Sequence, residues 1–163
     1  MDFADENKRR VAFHEAGHAW MMWKEGLEVA RVSMEPLTSV RRDNRGETVS
    51  VQVMEENRKE LSVKFAKAAL AGSEAEHFLL GKWDEESLQA RAFDMGRARS
   101  FMVMSGDDWK PEALDHFVQT MSNMVTEEIS RPRVWDAITA LAYELLVSGT
   151  LTGGRIREIL SVG

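Results

Sequence analysis

A chain of 163 residues, 44% hydrophobic and 29% charged, can bury a core as a single domain (1–163) without staples, and chain-wide disorder is excluded. A net charge of −6 argues against a nucleic-acid or membrane-surface binder, and no apolar run nears the roughly 20 residues that span a bilayer. MDFADENKRR is no signal peptide, and the absence of cysteine fits a cytoplasmic address while leaving only histidine and carboxylate for any metal.

In chain order, Val11, Ala12, Ala16, Ala19, Met22 and Trp23 recur at helical spacing and predict a helix over 4–25, stopped by Gly26. Two β-branched segments follow, 29–34 and 47–54, joined by a charged loop with Pro36, Asn44 and Gly46. They read as an antiparallel pair, with Thr48, Ser50 and Gln52 on a wet face and Val49, Val51 and Val53 on a dry one. From Glu55 the pattern is helical to the end. Helices are predicted over 56–80, 85–104, 111–129 with Pro111 in its first turn, 133–149, and 152–160 with Thr152 as its cap. The expected fold is mainly α with a small antiparallel β element.

The chemistry gathers in HEAGH, residues 14–18. Residues four apart share a helix face, so His14 and His18 can offer two nitrogens to one ion. Glu15, next to the first ligand, is the expected catalytic base. Zinc lowers the pKa of a water toward about 7, and Glu15 would take that proton and return it to the departing amine. Gly17 costs about 1 kcal/mol against alanine in a helix, which hints that something packs closely there. The bland reading is a helix whose two histidines pair by accident.

A catalytic zinc needs a third protein ligand. Met21 and Lys24 stand where an H-x-x-G-x-x-H continuation needs glycine and histidine, so that class is out. The remaining candidates are Glu74, Glu76, His77 and Asp94. Asp94 lies beside an apolar helix face near Ala98 and Phe101, where a carboxylate needs a cation; a salt bridge to Arg91 or Arg97 would also serve.

VAFHEAGHA, AALAGSEAEHFLLG, FDMGRA and LAYELLVSGTLTGGRIREIL, in that order, resemble the peptidase domain of FtsH-type ATP-dependent zinc metalloproteases over nearly the whole chain. The strand pair RVSMEP and GETVSVQV is similar to the family's strands beside its cleft. The resemblance implies an HExxH zinc-peptidase helical domain with His14, His18 and Asp94 as zinc ligands and Glu15 as general base. Two features depart from the pattern: KWDEESLQARAF replaces the family's threonine/glycine-rich loop, and Phe93 stands where asparagine is usual. Glu76 therefore stays as the alternative third ligand, or as an acid that orients a ligand imidazole.

The sequence holds no G-x-x-x-x-G-K-[ST] motif, so a free-standing peptidase domain acting on flexible or unfolded polypeptide is expected. A separate ATPase or unfoldase is a candidate partner, the resemblance to a ring-forming family admits a homo-oligomer, and neither nucleic acid nor membrane is expected as a partner. The competing readings are a non-catalytic interaction domain that keeps the fold, and a regulatory protease specific for one partner. Trp20 and Trp23 are expected in the core, Met95, Met102, Met104, Met121 and Met124 in the core or an oligomer contact, and the run 39–45 in a solvated loop. His116 reads as packed or surface. Tyr143, the only tyrosine, has nothing in the sequence to place it near the site.

Overall fold

The structure, a computed structural model, describes residues 3–35, 47–50 and 58–162. Six helices and three short strands follow in the order α1 (Phe3–Lys24), β1 (Val29–Ser33), β2 (Glu47–Ser50), α2 (Arg58–Leu80), α3 (Glu85–Val103), α4 (Pro111–Ile129), α5 (Pro132–Ser148), β3 (Thr150–Thr152) and α6 (Gly153–Ser161). The mainly helical expectation with a small antiparallel sheet is met, and the helix bounds fall within about two residues of the predicted ones wherever both are described.

Helix α1 is the axis of the molecule. Every residue from Ala12 to Met22 is buried, so this helix is covered all round rather than along one stripe. Helix α2 runs antiparallel along one side of it, α5 covers another, and the sheet closes off its C-terminal end. The close approach to α2 depends on small residues. A Cβ on Gly17 would stand 2.5 Å from the Ala71 carbonyl oxygen and 2.7 Å from the Ala75 Cβ, so what packs closely at this glycine is α2. On the α5 side, Phe13 stacks on Trp135 at 5.2 Å between ring centroids. Helix α1 ends in a Schellman motif: Gly26 takes φ +75°, its amide donates to the Trp23 carbonyl, and the Leu27 amide donates to that of Met22.

The sheet has three strands in the order β2-β1-β3, both pairings antiparallel. Strand β3, three residues long, is too short to leave an alternation in sequence. It is set by Gly149, left-handed at the end of α5, and by Gly153, where a Cβ would stand 2.0 Å from the Val29 carbonyl oxygen. Thr152 caps α6 as expected, accepting from the Arg155 amide. The loop expectation for 39–45 and the wet and dry faces of 47–54 concern residues or side chains outside the described set.

Candidate metal centre

Three helices converge on one buried point. His14 and His18 come from α1, Asp94 from α3, and α2 supplies the floor between them. All three side chains are buried, and their ligand atoms lie within 4.8 Å of one another. Among the described residues, no second cluster of three such side chains occurs. The floor is Gly72. A Cβ there would sit 2.3 Å from His18 Nε2 and 2.8 Å from His14 Nε2, so only glycine leaves room for the two nitrogens.

The hydrogen bonds fix which ring nitrogen faces inward. His18 Nδ1 lies 2.7 Å from the Ala68 carbonyl oxygen, which can only accept, so this nitrogen carries the proton. His14 Nδ1 lies 3.1 Å from Glu76 Oε2 and donates likewise to an ionised carboxylate. In the neutral rings both Nε2 atoms then present lone pairs to each other, 3.1 Å apart. Asp94 adds Oδ2 at 3.6 Å from His14 Nε2 and Oδ1 at 3.8 Å from His18 Nε2. Such an arrangement is repulsive unless a proton or a metal cation sits in it. A metal bonded at about 2.0–2.2 Å to three tetrahedrally disposed ligands would set them roughly 3.3–3.6 Å apart, close to these separations. The buried His14, His18 and Asp94 group could hold a metal ion.

Behind the ligands stands a set of carboxylates tied to one cation. Arg10, one helical turn before His14, donates through Nε and Nη2 to Glu76 Oε1 at 3.1 and 2.8 Å. It also donates through Nη1 and Nη2 to the two Asp84 oxygens at 2.9 Å each. Asp84 is the N-cap of α3 and forms a capping box with Ser87. One guanidinium thus joins α1, α2 and the start of α3, the helices that meet at the metal cluster. The Ser73 amide donates to Asp94 Oδ2 at 2.9 Å and steadies that carboxylate.

Protonation follows from the same contacts. Burial disfavours a charged His14, but the Asp94 carboxylate and the Glu76 hydrogen bond outweigh it and raise its pKa. Burial raises the Asp94 carboxyl above the usual carboxylate range, against the pull of His14 and the Ser73 amide. Burial also pushes Glu76 upward, yet its bonds to His14 and Arg10 prevail and hold it low. A positive charge on the His14 ring is therefore favoured beside Asp94 and Glu76. Glu15 is buried and lines a small crevice with Arg10, Val11, His14, Glu76 and Glu86.

The other candidates fall elsewhere. Glu76 sits behind His14, on the side of the ring away from Asp94, and bonds Nδ1 rather than joining the His14–His18–Asp94 group. Glu74 points to α4, where it accepts from Ser122 Oγ at 2.9 Å and Thr126 Oγ1 at 2.8 Å. His77 stacks flat on Trp83 at 4.0 Å. Arg91 turns toward Glu74, at 3.7 Å, and lies over Trp83 rather than bridging to Asp94. His116 is at the surface, and Tyr143 is exposed with its ring edge-on to Phe13. Trp20 is buried, but Trp23 is 38% exposed, which corrects its expected place in the core. Met95, Met102 and Met121 are core residues, whereas Met104 and Met124 are exposed.

Sequence reasoning passed over Arg10, Gly72 and Ser73. Arg10 could have been found, because it lies four residues before His14 on the same helix face. The role of Gly72 could not, since it depends on which residue of α2 crosses opposite two residues of α1. Among the described residues, no helix is long and apolar enough to cross a membrane. No family model matches the sequence, and no curated protein matches it significantly. What the chain itself presents is a buried His14–His18–Asp94 group, held in place by Glu76, Ala68 and Ser73, with the chemistry to hold a metal ion.

Proposed function

We propose that this chain is a zinc metalloendopeptidase of the FtsH peptidase type, acting on flexible or unfolded polypeptide. The observation that carries the reading is the pair of inward Nε2 atoms beside Asp94, with the acid Glu15 buried next to the first ligand. Two imidazoles and one carboxylate are a donor set that zinc accepts with a further position open. A zinc ion there supplies Lewis acidity, which makes water a nucleophile near neutral pH and polarises a carbonyl.

The chain's own residues do the rest. Glu76 and the Ala68 carbonyl hold the two imidazoles in the ligating tautomer, and Ser73 holds Asp94. Glu15 takes a proton from the attacking water and passes it to the departing amine nitrogen. The remaining OH goes to the carbonyl carbon, so water is added across the C–N bond and Glu15 ends as it began. Strand β2 is at one edge of the sheet, which suits an extended substrate pairing backbone to backbone. This mode reads side chains weakly. Nothing in the 163 residues reads as a nucleotide site, so a folded substrate needs an unfoldase outside these residues, and the purified chain should cut only loose polypeptide. A cytoplasmic setting and a homo-oligomeric assembly belong to the same proposal.

Metal analysis with a Glu15→Gln variant tests it. One zinc per chain in both proteins, with cleavage of an unfolded protein by wild type alone, is the expected result. Zinc-loaded wild type and variant that are equally inert on such substrates would sink the reading and favour an interaction domain.

A further inference from the structure

A cavity of about 170 Å³ opens beside His18, lined by Met22, Phe65, Ala68, Ala69, Arg97 and Phe101. That is below the roughly 300–1,000 Å³ of pockets for small molecules and cofactors, and suits a single side chain. Phe65 and Phe101 form one wall, stacked at 5.3 Å between centroids. Ala68 and Ala69 keep another wall shallow. Because His18 borders both the cavity and the metal cluster, a chain crossing the metal has a residue directly over this opening.

Arg97 makes the cavity more than apolar. It is half-buried on α3, three residues after Asp94, and its charge reaches the Asp94 carboxylate. Yet its guanidinium has no hydrogen bond or ion pair with any described residue. The contrast with Arg10, which has three carboxylates around it, is sharp in a chain carrying 27 acids against 21 bases. We propose that this cavity receives a carboxylate-bearing residue of the polypeptide, its stem against Phe65 and Phe101 and its carboxylate on Arg97. The inference rests on the peptidase reading above and names the substrate class for that site. A wholly apolar side chain would cover the guanidinium without a partner, which is unfavourable, and a lysine would be repelled. A glutamate satisfies both the aromatic wall and the planar donors of arginine. A C-terminal carboxylate offers the same chemistry from the end of a chain.

The test uses the zinc-loaded Glu15→Gln chain and three otherwise identical acetylated peptides. One carries an internal glutamate and an amidated end, one an internal glutamine and an amidated end, and one a glutamine with a free C-terminal carboxylate beside it. Binding to parent and variants is followed by titration calorimetry. At least one carboxylate peptide should bind about tenfold tighter than the fully amidated glutamine peptide, the size of a partly exposed charged hydrogen bond. The internal glutamate winning identifies an acidic side chain as the ligand; the free end winning identifies a chain terminus. Arg97→Gln should erase the difference and Arg97→Lys keep part of it, both with the zinc content of the parent. Equal binding of all three peptides, no binding of any, or a preference that survives Arg97→Gln overturns the inference. Cleavage by wild type separates the two proposals. Neutral and acidic peptides cut alike would leave the peptidase standing and remove the role of Arg97. A carboxylate preference in binding without any cleavage would do the reverse.

Discussion

Glu74 and Glu76 are two residues apart on the same helix, equally buried, and they do different work. Glu76 faces α1, where Arg10 and His14 hold it ionised and it holds His14 in turn. Glu74 faces α4, where it accepts hydrogen bonds from two hydroxyls, Ser122 and Thr126. Two residues along an α-helix is about 200° of rotation, so neighbours of one chemistry reach opposite sides. A buried carboxylate thus gains its role from what it meets: on one side of α2 it orients a ligand, on the other it fastens helices.

The largest break in this comparison should come from the floor rather than the acids. Gly72→Ala puts a Cβ within 2.3 Å of His18 Nε2, so the imidazoles must move apart. Metal affinity should drop by about a thousandfold or more, roughly 4 kcal/mol, measured by competition with a chromogenic chelator. Gly154→Ala, whose nearest neighbour would be 3.8 Å away, is the control and should bind metal normally.

Arg10→Met tests the ionic side of α2 next. It leaves Glu76 buried without its cation and removes the clip to Asp84, and should cost about 2–4 kcal/mol at pH 7. Glu76 and Asp84 are both held below the usual carboxylate range: Glu76 against its burial by His14 and Arg10, Asp84 chiefly by Arg10. A group with a lowered native pKa contributes stability above its unfolded value and loses it as pH falls through the native one. Wild type should therefore lose stability below about pH 4, and Arg10→Met should show a shallower acid slope in urea titrations. Parallel slopes would contradict the assignment.

Paired substitutions sharpen the contrast itself. Glu76→Gln keeps an oxygen for His14 but loses the charge that strengthens it, and metal affinity should fall about 10–100-fold. Glu74→Gln meets hydroxyls that can rotate, and should cost about 1 kcal/mol of stability while metal affinity stays within about threefold. Equal effects on affinity would mean that the two faces are not distinct. The smallest effect lies farthest from the site: Thr152→Ala removes the α6 cap and should cost about 1 kcal/mol without touching the metal.

Much of this could be read along the chain because the relevant physics is local. HEAGH put two imidazoles on one face through the helical repeat alone, and Gly26, Pro111 and Thr152 marked helix ends through their own backbone and side-chain preferences. Trp23 misled because periodicity describes a face and not what covers it; the helix is covered all round up to Met22, and the covering stops there. Strand β3 was missed because three residues cannot show a period, and the pairing that defines it lies more than a hundred residues away in β1.

The same division runs through the site. By itself the sequence determined the two histidines, the acid between them and a short choice of third ligands, since those depend on residue type and spacing. Only the tertiary structure placed Asp94, rather than Glu74, Glu76 or His77, beside the two inward nitrogens, because the side of α2 or α3 that meets α1 follows from helix packing. It also decided that Gly72 must be bare, that Arg10 closes the shell, and that Arg97 stands beside His18 with no hydrogen bond or ion pair among the described residues. Those are distances between segments far apart in the chain, and no local preference encodes them.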